Sequence, residues 1–121
     1  MTPRLIPAPA RIPVPGGKVI DEYVGRVVSS TTSVSVAHMR APDGWSELAQ
    51  VPEFDEITLV LKGSVRIEHD RGVLEVVAGQ AVITAAGERV RYLIDDPEGA
   101  EYVAICLPAF APELAHREEE S

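Results

Sequence analysis

The sequence has a single cysteine, Cys106, so it cannot form an internal disulfide bond. A reducing cytoplasm is therefore the expected location. No apolar run approaches the ~20 residues that a membrane-spanning helix needs. The first residues also lack the apolar segment of a signal peptide. These absences predict a cytoplasmic protein without a membrane partner.

Basic residues are few, because 11 Lys and Arg stand against 19 Asp and Glu, which gives a formal net charge of −8. A surface with this balance repels the phosphates of nucleic acids and of acidic lipids. The composition therefore predicts no nucleic-acid partner. It favours a cation or a neutral ligand instead.

Helical periodicity is missing before Pro112, whereas short alternating segments recur along the chain at intervals of roughly ten residues. Predicted strands cover residues 18–28, 34–40, 57–61, 64–69, 73–77, 81–84, 90–94 and 102–107. Regularly spaced short strands with polar turns are typical of a β-sandwich or a β-barrel. A chain of 121 residues has room for one such domain. The sequence therefore predicts an all-β protein with a single core.

Two glycine-punctuated motifs make the fold prediction more specific. Glu56-x6-Gly63 resembles the second half of the first cupin motif, and the segment from Gly79 through Gly87 to Val90 resembles the second motif, G-x5-P-x-G-x2-H. The resemblance covers about residues 18–108. It implies a double-stranded β-helix, or jelly-roll, barrel over 18–108. An extended Pro-rich arm over 1–17 and a short tail over 109–121 would flank this barrel.

The histidines that bind metal in cupins are missing from both motifs. The His-x-His pair would fall at Gln50 and Pro52, or at Ala49 and Val51, and the later histidine would fall at Val90. By alignment, only Glu56 remains of the four usual ligands. The resemblance therefore implies no bound cofactor. The alternative is a divalent Mn, Fe or Mg ion held by Gln50, Glu56 and His38, because oxygen ligands favour these metals.

Side-chain alternation predicts which residues line the barrel. If Glu56 points inward, as the resemblance implies, then Thr58 and Val60 follow it, and Ile57, Leu59 and Leu61 face outward. The outward row is too apolar for water, which predicts a homodimer that covers it.

The pocket residues follow from the same parity and from the resemblance. The candidate catalytic residues are Glu56, His38 and Tyr92, and the candidate ligand-binding residues are Gln50, Glu53, Thr58, Val60, Val82, Val90 and Tyr102. A carboxylate among valines must be paired, bound to a cation or held neutral. The alternative for Glu53, Asp55 and Glu56 is a solvated corner that pairs with Arg89 or Arg91.

Three classes of function fit these residues. The first is a cupin that binds a small molecule and carries out metal-independent acid/base chemistry of the isomerase or lyase type through Glu56. The second is a metal-dependent oxygenase or isomerase with a degenerate Gln/Glu/His site. The third is a non-catalytic ligand-binding protein or structural dimer. The sequence leaves open whether the chain is an enzyme, but all three classes predict a small-molecule ligand or none.

Overall fold

The computed structural model describes residues 2–118, which form eight antiparallel β-strands and one short helix. The predicted all-β class is confirmed. The strands are β1 (Ala10–Ile12), β2 (Val19–Val24), β3 (Ser35–Ala41), β4 (Asp55–His69), β5 (Gly72–Val77), β6 (Ala81–Thr84), β7 (Val90–Leu93) and β8 (Ala100–Leu107), and the helix is α1 (Pro112–Ala115). Residues 119–121 of the predicted tail lie outside the described part of the chain.

Strand β4 joins two sheets. Its first half pairs with β6 and β8, and β8 continues the same sheet through β3, β2 and β1. Its second half pairs with β5 and β7. The separate strands predicted over 57–61 and 64–69 are therefore one strand, which bends where the register with β8 shifts between Val60 and Lys62.

The packed core lies between the two sheets. Val60, Val65 and Ile67 of β4 are no more than 1% exposed, and they pack with Val90 of β7. The alternation expected of a half-buried strand produces this arrangement, because every second side chain turns inward. A smaller cluster around Phe54 and Cys106 packs against α1.

The N-terminal segment differs from the predicted arm. Strand β1 lies inside residues 1–17 and pairs with β2, with Ala10 opposite Glu22, so this part of the arm belongs to the sheet. Strand β2 also ends at Val24 instead of continuing to residue 28. The reason is a turn in which the Glu22 carboxylate accepts the backbone N–H groups of Val27 and Val28.

The outer face of the first sheet is apolar near β4. Leu59 and Leu61 are 40% and 44% exposed, whereas Thr58 and Val60, which alternate with them, are buried. The homodimer expected to cover this face stays a prediction. No helix within residues 2–118 is long and apolar enough to cross a membrane.

Candidate functional site

A cavity of about 90 Å³, here called the chamber, lies between the first sheet and the segment 45–50. One water needs roughly 10–15 Å³ of such space, so the chamber has room for several water-sized groups. Its lining residues are Ile12, Lys18, Ile20, Glu22, Ser35, Ala37, Met39, Glu47, Gln50, Glu56, Tyr92, Tyr102, Ala104, Cys106, Phe110 and Arg117.

A groove of about 550 Å³ that runs past Trp45 adjoins the chamber. Lys18, Ile20, Glu47 and Arg117 line both spaces. These four residues therefore form the mouth of the chamber. Two cations, one carboxylate and one apolar side chain control access to it.

Small side chains create the space. Strand β3 turns Ser35 and Ala37 inward, and β8 turns Ala104 inward. Large side chains at these positions would fill the interior, as the valines and isoleucines of β4 do in the packed core. Large side chains thus fill one half of the interior, and small side chains leave the chamber in the other half.

Backbone hydrogen bonds hold the segment that carries Glu47 and Gln50. Gln50 and Val90 exchange both N–H···O bonds at 2.9 Å, and the Glu47 N–H donates to the Tyr92 carbonyl oxygen at 3.2 Å. These bonds fix the segment beside β7, although it forms no continuous strand. The two polar side chains are therefore held at the chamber wall.

Arg117 folds back over the chamber. Its guanidinium donates to the Gln50 side-chain oxygen and lies 3.4 Å from a Glu47 carboxylate oxygen. The Glu118 N–H donates to the Ala49 carbonyl oxygen and fixes the chain beyond Arg117. The end of the described chain is thus part of the site.

Lys18 forms no ion pair in the part of the chain that the structure describes. Its Nζ lies 3.8 Å from the centroid of the Trp45 ring and 5.5 Å from that of Tyr102. Contact with aromatic faces stabilises an ammonium ion. Burial nevertheless lowers the pKa of Lys18 to about 8, against the attraction of Glu47 and Glu56. Lys18 remains mostly charged at neutral pH.

Glu56 presents an unpaired carboxylate to the chamber. No protein group within residues 2–118 forms a hydrogen bond or an ion pair with it, and Arg89 and Arg91 instead pair with Glu118 and Glu68. Burial raises the pKa of Glu56 to about 7, and repulsion from Glu47 adds to this effect. Burial therefore favours the protonated form of Glu56 at a higher pH than for an exposed glutamate. The solvated-corner alternative does not describe it.

Four other groups that line the chamber also have raised pKa values. Burial raises the pKa of Glu47, although Lys18 and Arg117 oppose the shift. Burial also raises the pKa values of Tyr92, Tyr102 and Cys106, so these groups stay neutral across the physiological range. The chamber is thus lined by three glutamates, Glu22, Glu47 and Glu56, and by two cations, Lys18 and Arg117.

Glu56→Gln is expected to stabilise the fold above pH 7. The folded pKa of about 7 exceeds the unfolded value of 4.5, so the folded state binds the proton more tightly, and the free energy of unfolding falls as pH rises between these values. The loss is roughly 2–3 kcal/mol at pH 8. Urea unfolding from pH 4 to pH 8 should show this loss in the parent and not in the variant. An equal decline in both would contradict the placement of Glu56.

The structure brings only some of the predicted site residues together. Glu56, Tyr92, Gln50 and Tyr102 line the chamber. The other predicted residues that point inward pack in the interior without lining the chamber, namely Thr58, Val60, Val82 and Val90. They lie along the packed half of the barrel, where large side chains close the space.

His38 and Glu53 lie away from the chamber, so both predictions are corrected. β3 turns Ser35, Ala37 and Met39 inward, which points His38 outward, where its Nε2 lies 3.0 Å from Glu101. Glu53 is exposed and pairs with His116.

Sequence reasoning missed Lys18, Glu47 and Arg117, which form the mouth. One signal was available for Lys18, because it precedes Ile20 and Glu22 at the period of a strand. Glu47 and Arg117 lie in irregular segments, where side-chain alternation does not predict which way a side chain points. Their meeting depends on the tertiary fold.

Comparison with known proteins gives one sequence relative and several structural ones. The chain is 47% identical over 107 residues to a protein named Endoribonuclease YbeY from Myxococcus xanthus, which covers 88% of this chain and 36% of that protein. The chain therefore spans about a third of the length of the curated relative it matches. No protein-family profile matches the chain.

The solved structures identify the fold. Oxalate decarboxylase from Bacillus subtilis superposes with a TM-score of 0.75 at 17% identity, over 90% of this chain and 30% of that one. A putative ethanolamine utilization protein from Salmonella typhimurium superposes with a TM-score of 0.60 at 18% identity, over 77% and 71%. Both are cupin-fold proteins, so the chain has a cupin barrel, as the two motifs predicted. At this identity the likeness shows the fold alone.

The described residues do not assemble the metal site that the sequence offered as an alternative. Here, residues 2–118 contain no group of three His, Cys, Asp or Glu side chains placed to hold a metal. The alternative set of Gln50, Glu56 and His38 is not assembled, because His38 lies on the opposite face of β3.

The predicted function and partners are wrong in the light of the sequence relative. A protein 47% identical over most of this chain is named an endoribonuclease, which contradicts a small-molecule-binding cupin and the exclusion of nucleic acid. The net charge of −8 led to that exclusion. A total charge describes the distant field, and it hides the two cations at the chamber mouth.

Proposed function

We propose that this chain serves in endonucleolytic RNA cleavage by holding the RNA strand at the mouth of the chamber. The observation that carries the proposal is the 47% identity to Endoribonuclease YbeY over 107 residues. Because those residues span 36% of that protein, we assign RNA recognition to this chain and do not assign it the whole cleavage reaction.

The groove outside the chamber supports RNA binding. Lys18 and Arg117 supply positive charge where the groove meets the chamber, and Trp45 supplies an aromatic surface beside them. Single-stranded nucleic acids are bound by cations that contact phosphates and by aromatic side chains that stack on bases. Duplex RNA hides its bases, so a single strand is the better substrate for this groove.

The acidic surface limits how the strand is held. With a net charge of −8, the chain repels RNA except near local cations. Binding therefore depends on a few contacts at the mouth, and its salt dependence is shallow, because each neutralised phosphate adds about 0.7 to the slope for single strands.

Lys18→Met is expected to weaken binding of a single-stranded RNA by about ten-fold or more, since losing a charged hydrogen bond costs about 1.5–3 kcal/mol. Fluorescence anisotropy with a labelled oligoribonucleotide measures the affinity. The matched control is Lys62→Met, because the Lys62 side chain is 81% exposed and lies outside the chamber.

Two results would overturn the proposal. One is an absence of RNA binding by the parent chain even at low salt. The other is an equal loss of affinity in Lys18→Met and Lys62→Met, because the mouth would then have no special role. A duplex that binds as tightly as the single strand would contradict the proposed substrate form.

Glu47 supports a second candidate, in which the chain itself takes part in cleavage. Its carboxylate has a raised pKa, contacts Arg117 and shares the mouth with Lys18. It can accept the proton of a ribose 2′-hydroxyl as that oxygen attacks the adjacent phosphorus, while the 5′-oxygen leaves with a proton from water. Cleavage in the presence of a chelator that Glu47→Gln abolishes would support this candidate.

We also propose that the metal-binding histidines of the cupin motifs are replaced in this chain. Val90 stands at the position of one of them and is 1% exposed in the packed core, where it offers no ligand. The cytoplasmic location inferred from the single cysteine stays a prediction.

A further inference from the structure

We propose that the chamber receives one guanine base, with the Glu56 carboxylate bound to its N1–H and N2–H₂ donors. This inference rests on the proposed function and names the nucleotide that the site reads. Its basis is a carboxylate without a protein partner in a chamber that is otherwise largely apolar.

The unpaired groups define the chemistry of the ligand. In the described chain, the Glu56 carboxylate has no hydrogen-bond partner, although it lines the chamber. A carboxylate in such a place costs free energy unless a donor meets it. A ligand with N–H or O–H donors at its inner end would satisfy this carboxylate.

The Gln50 amide adds a second requirement. Its side-chain oxygen accepts from Arg117, which leaves the NH₂ group without a partner among residues 2–118. An NH₂ group donates and a carboxylate accepts. The chamber thus offers donors from Gln50 and two acceptor oxygens from Glu56.

Guanine presents the complementary edge. Its Watson–Crick edge carries the O6 acceptor beside the N1–H and N2–H₂ donors, so one carboxylate can accept from both donors while an amide donates to O6. Uracil offers one donor there, and adenine and cytosine each place an acceptor where guanine has N1–H. Enzymes that take a base out of its stack read this edge in the same way, with apolar side chains against the ring faces.

The walls and the mouth suit the rest of the nucleotide. Ile20, Met39 and Phe110 give the chamber apolar walls, which favour a flat ring. Lys18 and Arg117 lie at the mouth, where the ribose and phosphates of an inserted residue would emerge. The base would thus lie against the apolar walls of the chamber, and its phosphates would lie near the two cations at the mouth.

The guanine preference depends on pH, because only the ionised carboxylate accepts from two donors. The titratable and charged groups around Glu56 are Lys18, Glu22, Glu47, Tyr92, Tyr102, Cys106 and Arg117. Tyr92, Tyr102 and Cys106 stay neutral, and Glu22 is bound to backbone N–H groups. The preference is expected to be full at pH 8 and reduced below pH 6.

Oligouridylates with one central guanine, hypoxanthine or adenine test the inference by fluorescence anisotropy at pH 8. We expect the guanine oligomer to bind at least ten-fold more tightly than the adenine oligomer. Hypoxanthine lacks only the N2 amine and should lose about half of that advantage on a logarithmic scale. Glu56→Gln should remove the guanine preference, and the control Glu53→Gln should keep it, because Glu53 is exposed and pairs with His116.

The outcomes separate this inference from the proposed function. Equal binding of all three oligomers by the parent would overturn guanine reading and leave RNA binding intact. Binding of guanosine monophosphate without binding of any oligomer would support guanine reading and overturn the RNA role. A guanine preference that survives in Glu56→Gln would overturn the assigned contact, provided that the variant unfolds at least as late as the parent.

Discussion

Gly63→Ala is expected to lower the free energy of unfolding by about 3 kcal/mol or more, since a left-handed residue and a backbone collision each cost about 1–3 kcal/mol. Gly63 has φ +71°, and a Cβ atom there would collide with the carbonyl oxygen of Gly99. Neither group is the end of a flexible side chain, so the backbone itself must move. The bend of β4, which joins the two sheets, lies at this point.

Gly79→Ala is the matched control for this prediction. Gly79 has a similar φ of +88°, but a Cβ atom there would meet no atom within 4 Å. Its loss is expected to be only about 1 kcal/mol, the cost of the left-handed backbone. Urea unfolding of both variants gives the comparison. Equal losses would show that the contact between Gly63 and Gly99 is not tight.

Arg117→Glu is expected to weaken single-stranded RNA binding by about 100-fold, because it removes one charged contact and adds repulsion of similar size at the mouth. The new carboxylate would stand beside Glu47 and close to Glu56, which leaves Lys18 as the one cation among the residues that line the mouth. The same crowding should raise the pKa of both glutamates further.

Arg71→Glu is the control for charge reversal, because Arg71 is exposed in the turn between β4 and β5 and lies outside the chamber. It changes the net charge by the same amount. If the two variants lose the same affinity, only the total charge matters and the mouth is not the RNA contact. Thermal unfolding of both separates a loss of binding from a loss of fold.

Much of the fold could be predicted, because side-chain alternation in strands and glycines at turns are visible in short segments of the sequence. Alternation around Val65 and Ile67 predicts a half-buried strand, and the resemblance of two motifs to those of cupins implies the cupin barrel that the structure has. The sequence did not show that β4 is one continuous strand that bends between its two halves. A register shift depends on the partner strand, which a single segment does not reveal.

The site was only partly predictable, because it depends on contacts between segments that are distant in the sequence. The resemblance to a cupin motif placed Glu56 inward, but His38 could not be placed, because the inner face of β3 carries small residues that look like a polar outer face. Lys18 and Arg117 are 99 positions apart in the sequence, and only the folded chain brings them to one opening. Net charge was the least informative feature, since it averages over the whole surface.

Ultraviolet crosslinking of the parent chain to a single-stranded RNA, followed by mass spectrometry of the crosslinked peptides, tests the central claim most directly. The account predicts crosslinks at Trp45 and in the peptides that carry Lys18 and Arg117, which line the groove and the mouth. It also predicts that these crosslinks weaken in Lys18→Met. Crosslinks confined to other surfaces would contradict the account, as would RNA that forms no crosslink while it remains bound.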